Sequence, residues 1–240
     1  MYSDSPHVFA KSVSANAKAS TVLVKNEANQ TLRIMPLGGS ITYGQGSSDG
    51  NGYRKALRDL LVSDGYQVTM VGSRKAGTMS NNETEGWRGQ RLDQILTKAM
   101  RAVPILQPHV VALNAGSNDC IDNFRIDNFG DRMRAMLDSL WDAAPQSTVL
   151  LSTLVVSADQ DTQSRIVKAN AHLRTIARET AAERKRLVLV DMGGGAGVVG
   201  PRTTDLVDGT HPNDKGYDAM ARLWHHGFQE AARLGFIHKP

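Results

Sequence analysis

The chain has little of what would tie it to a disulfide scaffold, a membrane or a nucleic acid. Its 240 residues include one cysteine, Cys120. No intramolecular disulfide can form, which removes the usual sign of an extracellular scaffold without excluding secretion. A lone cysteine reads first as a buried structural thiol, with a nucleophile as the rarer alternative. No apolar run reaches the ~18 residues of a membrane helix, so no membrane span is expected. Lysine and arginine total 28 against 24 acidic residues, a formal net charge of +4, yet no block of one sign stands out. The densest run, Glu183-Arg184-Lys185-Arg186, closes a predicted helix, where basic side chains suit the helix dipole. No nucleic-acid partner is expected. The glycine-rich stretch 193–200 lacks the Gly-x-x-x-x-Gly-Lys pattern of a phosphate loop. His225 and His226 are adjacent on a predicted helix and face different directions, so a metal shared between them is not expected. Residues 1–30 are polar and lack the apolar core of a signal peptide. They are expected to form a polar arm, or to be what remains of a trimmed leader. Asn29-Gln30-Thr31 and Asn82-Glu83-Thr84 fit the glycosylation triplet, a pattern that arises often by chance.

What is present is a regular alternation. The hydrophobic fraction of 40% and charged fraction of 22% suit a soluble protein able to bury a sizeable core. Five apolar strands are predicted, over 32–37, 67–71, 110–114, 148–153 and 187–190. Between and after them the spacing predicts helices over 52–63, 92–103 (stopped by Pro104), 128–143, 162–184 and 214–234. Segments 72–90 and 116–123 show no periodicity and read as long loops, a class that is often functional. No linker or repeat divides 31–240. Strands alternating with helices argue one α/β domain, a flavodoxin-like three-layer α/β/α fold with a five-stranded parallel sheet. In such a sheet the loops after the strands share the carboxyl edge, where open α/β sheets place ligands.

Those loops carry the candidate chemistry. Leu37-Gly38-Gly39-Ser40-Ile41-Thr42 follows the first strand, and its glycines allow a sharp turn and a close approach. A serine hydroxyl is a poor nucleophile until a base takes its proton. Histidine suits that task when a carboxylate orients the ring. His211 has the strongest local context, with Asp208 three residues upstream, although Asp208 can equally cap the turn. Acyl transfer also needs donors for the developing oxyanion. The Ser40 N–H, a glycine N–H at Gly89 and the Asn118 amide are candidates; a loop turn and a helix N-cap are the plainer readings of the last two. Tyr43 and Trp87 flank these residues and could stack on a substrate or simply pack.

Four stretches together resemble the SGNH-hydrolase superfamily, also called GDSL-type esterases and lipases. Leu37-Gly38-Gly39-Ser40-Ile41-Thr42 resembles the nucleophile block, and Glu85-Gly86-Trp87-Arg88-Gly89 the block that supplies an oxyanion glycine. Gly116-Ser117-Asn118-Asp119 resembles the block with the oxyanion asparagine, and Asp208-Gly209-Thr210-His211-Pro212 the last block. Gly50-Asn51-Gly52-Tyr53-Arg54 and the Glu-Gly-Trp-x-Gly form are more similar to carbohydrate esterases of family three, whose members include acetylxylan esterases. The resemblance implies a Ser40-His211-Asp208 triad and an acyl-enzyme. It further implies an acylated carbohydrate or other small ester as substrate, no cofactor, and secretion. One departure is Gly39, where the family usually has an aspartate that braces the loop. That departure motivates a rival, a non-catalytic carbohydrate-binding descendant. An esterase or lipase acting on lipid esters or thioesters, and a flavodoxin-like nucleotide or flavin binder suggested by fold alone, are the other readings. Gly38-x-Ser40-x-Thr42 is not the Gly-x-Ser-x-Gly elbow of α/β-hydrolases.

Overall fold

In the computed structural model, residues 31–195 and 197–237, together with Met1, are described. The predicted N-terminal arm lies outside them, apart from its first residue. The chain runs β1 (Leu32–Gly38), α1 (Ser40–Tyr43), α2 (Arg54–Ser63), β2 (Val68–Met70), β3 (Arg74–Lys75), β4 (Glu83–Gly86), α3 (Leu92–Leu106) and β5 (Val110–Asn114). It continues through α4 (Ser117–Ile121), α5 (Phe129–Ala143), β6 (Thr148–Ser152), α6 (Gln160–Ala182), β7 (Leu187–Val190), the small hairpin β8 (Gly194–Gly195) and β9 (Val198–Val199), and α7 (Asp214–Arg233).

The sheet is parallel except for one strand. β1 pairs with β5, β5 with β6, and β6 with β7, all parallel, and the other edge of β1 is shared. Its first half pairs with β2 (Leu32 opposite Val68) and its end with β4 (Gly38 opposite Gly86). The apolar strand residues alternate between two cores. Met35, Leu37, Val111, Leu113, Val149 and Leu151 pack with α3, α5 and α6. Ile34, Val110, Ala112, Leu150 and Val188 pack with α2 and α7. Burying both faces is why these strands read as near-continuous apolar runs. The result is the expected three-layer α/β/α arrangement.

Among the described residues the sheet has seven strands, not five. The five expected strands are present as β1, β2, β5, β6 and β7. The extra two come from the segment read as a loop, where β3 and β4 form an antiparallel hairpin that docks on the end of β1. Glu83-Thr84-Glu85-Gly86 is too short and polar to carry a strand period; its pairing comes from tertiary contact. The segment 116–123 likewise contains a helical turn, α4. Pro104 does not stop α3, which continues to Leu106. In the last turn a proline removes one N–H near the helix end, and Gln107 closes the helix in the left-handed region at φ 42°. Its side-chain amide also donates to the Pro104 and Ala143 carbonyls.

Glycine is required where β4 meets α1. A β-carbon on Gly86 would stand 2.6 Å from the Tyr43 nitrogen and 2.8 Å from its Cα, and backbone there cannot move aside. Gly86→Ala is expected to destabilise the protein by about 1–3 kcal/mol, the usual cost of overpacking. Thermal or urea unfolding reads this as a lowered midpoint; an unchanged midpoint would show that α1 is not seated against β4.

Candidate active site

β1 and β5 are neighbours, yet the chain after β1 leads to one face and the chain after β5 to the other. This is the switch point at which such sheets open a crevice. Ser40 opens α1 directly after β1, so its N–H lies in the first turn, without an intrahelical acceptor. The turn closes at Gly44 in the left-handed region. From α7, the Tyr217 hydroxyl reaches the carbonyls of Gln45, at 2.6 Å, and Ile41, at 3.2 Å, tying the last helix to the serine loop. Burial pushes the Tyr217 phenol well above its ordinary range, so the donor stays protonated.

The structure brings Ser40, His211 and Asp208 into one line. Ser40 Oγ is 2.8 Å from His211 Nε2, and His211 Nδ1 is 2.7 Å from Asp208 Oδ2. Asp208 Oδ1 accepts the backbone N–H groups of His211, at 2.8 Å, and Thr210, at 3.1 Å. Partial burial works to raise the Asp208 carboxyl, but the His211 and Thr210 hydrogen bonds outweigh it and hold the group below the ordinary aspartate range. The carboxylate is thereby kept ionised, and its contribution to stability is lost only as pH falls through that lowered value. An ionised Asp208 favours the tautomer with the proton on Nδ1, which leaves Nε2 to accept the serine proton. In that tautomer the Gln45 amide nitrogen, 3.5 Å from Nδ1, is a packing contact between two donors. The loop is held by Val207 N–H to the His211 carbonyl and Ala158 N–H to the Gly209 carbonyl, and Asn213 caps α7 just behind it.

Gly39, Ser40, Gln90, Asn114, Ser117 and Asn118 line a narrow crevice beside the hydroxyl. Asn118 does not cap α4; Gly116 holds that position. The Asn118 amide donates instead to the Gln90 carbonyl at 2.9 Å, joining the loops after β4 and β5. Gly89, one residue earlier, is exposed with φ +70°, and a β-carbon there would meet nothing, so its glycine serves backbone conformation. A β-carbon on Gly39 would sit 3.5 Å from Asn118 Nδ2. A side chain at 39 would therefore stand against the asparagine, and here the Gln90 carbonyl holds it.

Several contributors were not assigned these roles from the sequence. Asp119 is fully buried and accepts the Leu92 N–H at 2.9 Å and Arg132 Nη2 at 2.5 Å, linking α4, α3 and α5. Burial would lower the Arg132 guanidinium, but its bonds to Asp93 and Asp119 outweigh that and raise it, whereas burial raises the Asp119 carboxyl despite its bonds to the Leu92 N–H and Arg132. Arg54, also fully buried, donates to the carbonyls of Tyr43, Gly50, Ala76 and Asn82 and fastens the loop behind Tyr43. Burial first, then the Asp119 charge, pushes the Cys120 thiol up to about 12, which makes it a poor nucleophile. Trp87 donates its indole N–H to Glu85 at 2.7 Å, while Arg74 lies 4.4 Å from its ring centre and 5.4 Å from that of Tyr43. Among the described residues no group of three or more His, Cys, Asp or Glu side chains is placed to hold a metal, and no helix is long and apolar enough to cross a membrane. His225 pairs with Asp64.

A hydroxyl facing an imidazole backed by a carboxylate, beside amide donors, is suited to acyl transfer, and relatives agree with that class. The model of the GDSL-like lipase/acylhydrolase family matches residues 37–219. A multidomain esterase of Ruminococcus flavefaciens is 29% identical over 229 residues, covering 83% of this chain and 28% of that protein; the chain spans little more than a quarter of its relative's length. A family 3 carbohydrate esterase of Clostridium thermocellum superposes with a TM-score of 0.75 at 25% identity, covering 85% of this chain and 99% of that one. A family 3 carbohydrate esterase of Talaromyces cellulolyticus gives 0.72 at 20% identity, over 85% and 99% of the two chains, a likeness of fold. With the family's model spanning residues 37–219, the chain belongs to the GDSL-like lipase/acylhydrolase family, a family of carboxylic ester hydrolases.

Proposed function

We propose that the chain is a serine esterase that removes short acyl groups, acetyl above all, from carbohydrates. The observation that carries the reading is the line from Ser40 through His211 to Asp208, with both links under 3 Å. Ser40 Oγ attacks the ester carbonyl as His211 Nε2 takes its proton. The tetrahedral oxyanion is held by the Ser40 and Gly89 N–H groups and the Asn118 amide, which has a second N–H beyond the one given to Gln90. Collapse expels the alcohol, protonated by His211, and leaves an acyl-enzyme. Water, deprotonated by His211, attacks that ester and releases the carboxylic acid and free Ser40. Asp208 holds the ring and stabilises the imidazolium. The carbohydrate part is supported by similarity to a family 3 carbohydrate esterase; the acetyl preference and secretion are proposed from the family resemblance of the four sequence blocks alone.

Hydrolysis of p-nitrophenyl acetate tests the reaction. Ser40→Ala is expected to abolish it with an unchanged unfolding midpoint, since a partly buried serine in the first turn of α1 contributes little packing; activity equal to the parent's removes Ser40 as nucleophile, and a parent without activity favours a binding descendant.

Asp208→Asn is expected to lower kcat by roughly 10²- to 10⁴-fold with KM little changed, because an amide facing Nδ1 favours the wrong tautomer. Full activity in this variant would mean that the backbone alone orients His211.

Asn118→Ala is expected to cost roughly a hundredfold or more in kcat. KM should move less, because the amide acts on charge present only in the transition state. A destabilised but fully active variant would limit Asn118 to joining the two loops.

A further inference from the structure

The rim beside Ser40 carries more positive charge than the fold uses. Arg74 lies over Trp87 and Tyr43, Lys98 Nζ is 4.6 Å from the Trp87 ring centre, and Arg88 is 5.9 Å from that of Tyr43. Among the described residues none of the three has a carboxylate partner. The acids of the surrounding segments are engaged elsewhere. Glu83 pairs with Lys75, Asp93 with Arg132, and Asp122 with Arg91. Glu85 is buried, its oxygens taken by the Ser73 backbone and hydroxyl and by the Trp87 indole. Each of these carboxylates is thus already engaged, and none of them is paired with the three cations.

Their placement ties them to the site. Trp87 N–H donates to the Gly38 carbonyl at 2.8 Å, two residues before Ser40. Arg88 directly precedes Gly89, and its Nε donates to Gln45, which packs on His211. A guanidinium lying on an aromatic ring keeps its in-plane N–H groups free, and that planar fork matches a carboxylate. Stacking also fixes the side chain beforehand, so less entropy is lost when an anion arrives. The aromatic rings alone would suit a neutral sugar face; the cations over them select for charge.

We propose that Arg74, Arg88 and Lys98 form an anion-recognising rim, and that the acylated carbohydrate taken by this site carries a carboxylate, as a uronate sugar within or beside the esterified unit. This rests on the esterase reading above and narrows its substrate class.

The test measures acetate release from two monoacetylated methyl glycosides, a glucoside and a glucuronoside, that differ only in a hydroxymethyl or carboxylate group. The glucuronoside is expected to show about tenfold higher kcat/KM at low ionic strength, the range of two partly exposed ion pairs. The ratio should fall toward one in about 0.5 M NaCl, where charges are screened over a few ångströms. Arg74→Gln with Lys98→Gln, confirmed folded by circular dichroism, should bring the ratio at low salt below about threefold. Equal kcat/KM for the two glycosides, or a ratio that survives both salt and the double substitution, overturns the rim alone. Turnover of p-nitrophenyl acetate, dependent on Ser40, without turnover of either glycoside overturns the carbohydrate reading and the rim with it. No turnover of any of the three overturns the esterase reading itself.

Discussion

The site depends on how closely backbone can approach the carboxyl end of β1. A β-carbon on Gly38 would collide with the Asn114 carbonyl of β5, and one on Gly86 would meet the Tyr43 backbone. Without those glycines the ends of β1, β4 and β5 could not come together. Their meeting brings Ser40, the Trp87–Gln90 turn and Asn118 around one crevice, because each follows directly on one of the three strand ends. The switch in direction between β1 and β5 keeps that crevice open. Close packing makes the arrangement discrete, since backbone at van der Waals contact has little room to drift.

Two carboxylates then set the electrostatics from opposite sides. Asp208 is half exposed, and its three hydrogen bonds all come from its own loop, so it orients His211 locally. Asp119 is buried and acts at a distance in sequence, joining the start of α3 to α4 and α5 through Leu92 and Arg132. α3 begins two residues after Gln90, whose carbonyl holds Asn118. The Asp119 ion pair therefore steadies both loops that border the crevice. A partnered buried pair of this kind contributes geometry more surely than net stability.

Much of this was legible from residue order. The apolar runs gave the five main strands because both sheet faces are buried, and helical spacing gave five of the main helices within a few residues of their ends. Glu83–Gly86 escaped because a short polar strand has no period of its own and pairs only because β1 offers an edge. The continuation of α3 past Pro104 escaped because the Gln107 contacts that close it include one to Ala143, distant in sequence. Of the candidate site residues, Ser40, Gly89, Asn118, Asp208 and His211 stood out by their local chemistry and by the order of the four blocks. Tyr217 and Gln45 did not, and Arg54 entered only as part of a resembling stretch, because their roles consist of bonds to carbonyl groups or packing on loops far along the chain.

What the sequence determined by itself was the alternation of elements and the residue types available at each loop, since both are local properties of spacing and side-chain chemistry. The tertiary structure decided the rest. It set the 2.8 Å approach of two side chains 171 positions apart. It tied the Asn118 amide to Gln90, and among the described residues it left three rim cations without partner carboxylates. Distance, burial and the occupancy of each hydrogen-bonding group depend on which segments meet, and that is settled only when the whole sheet assembles.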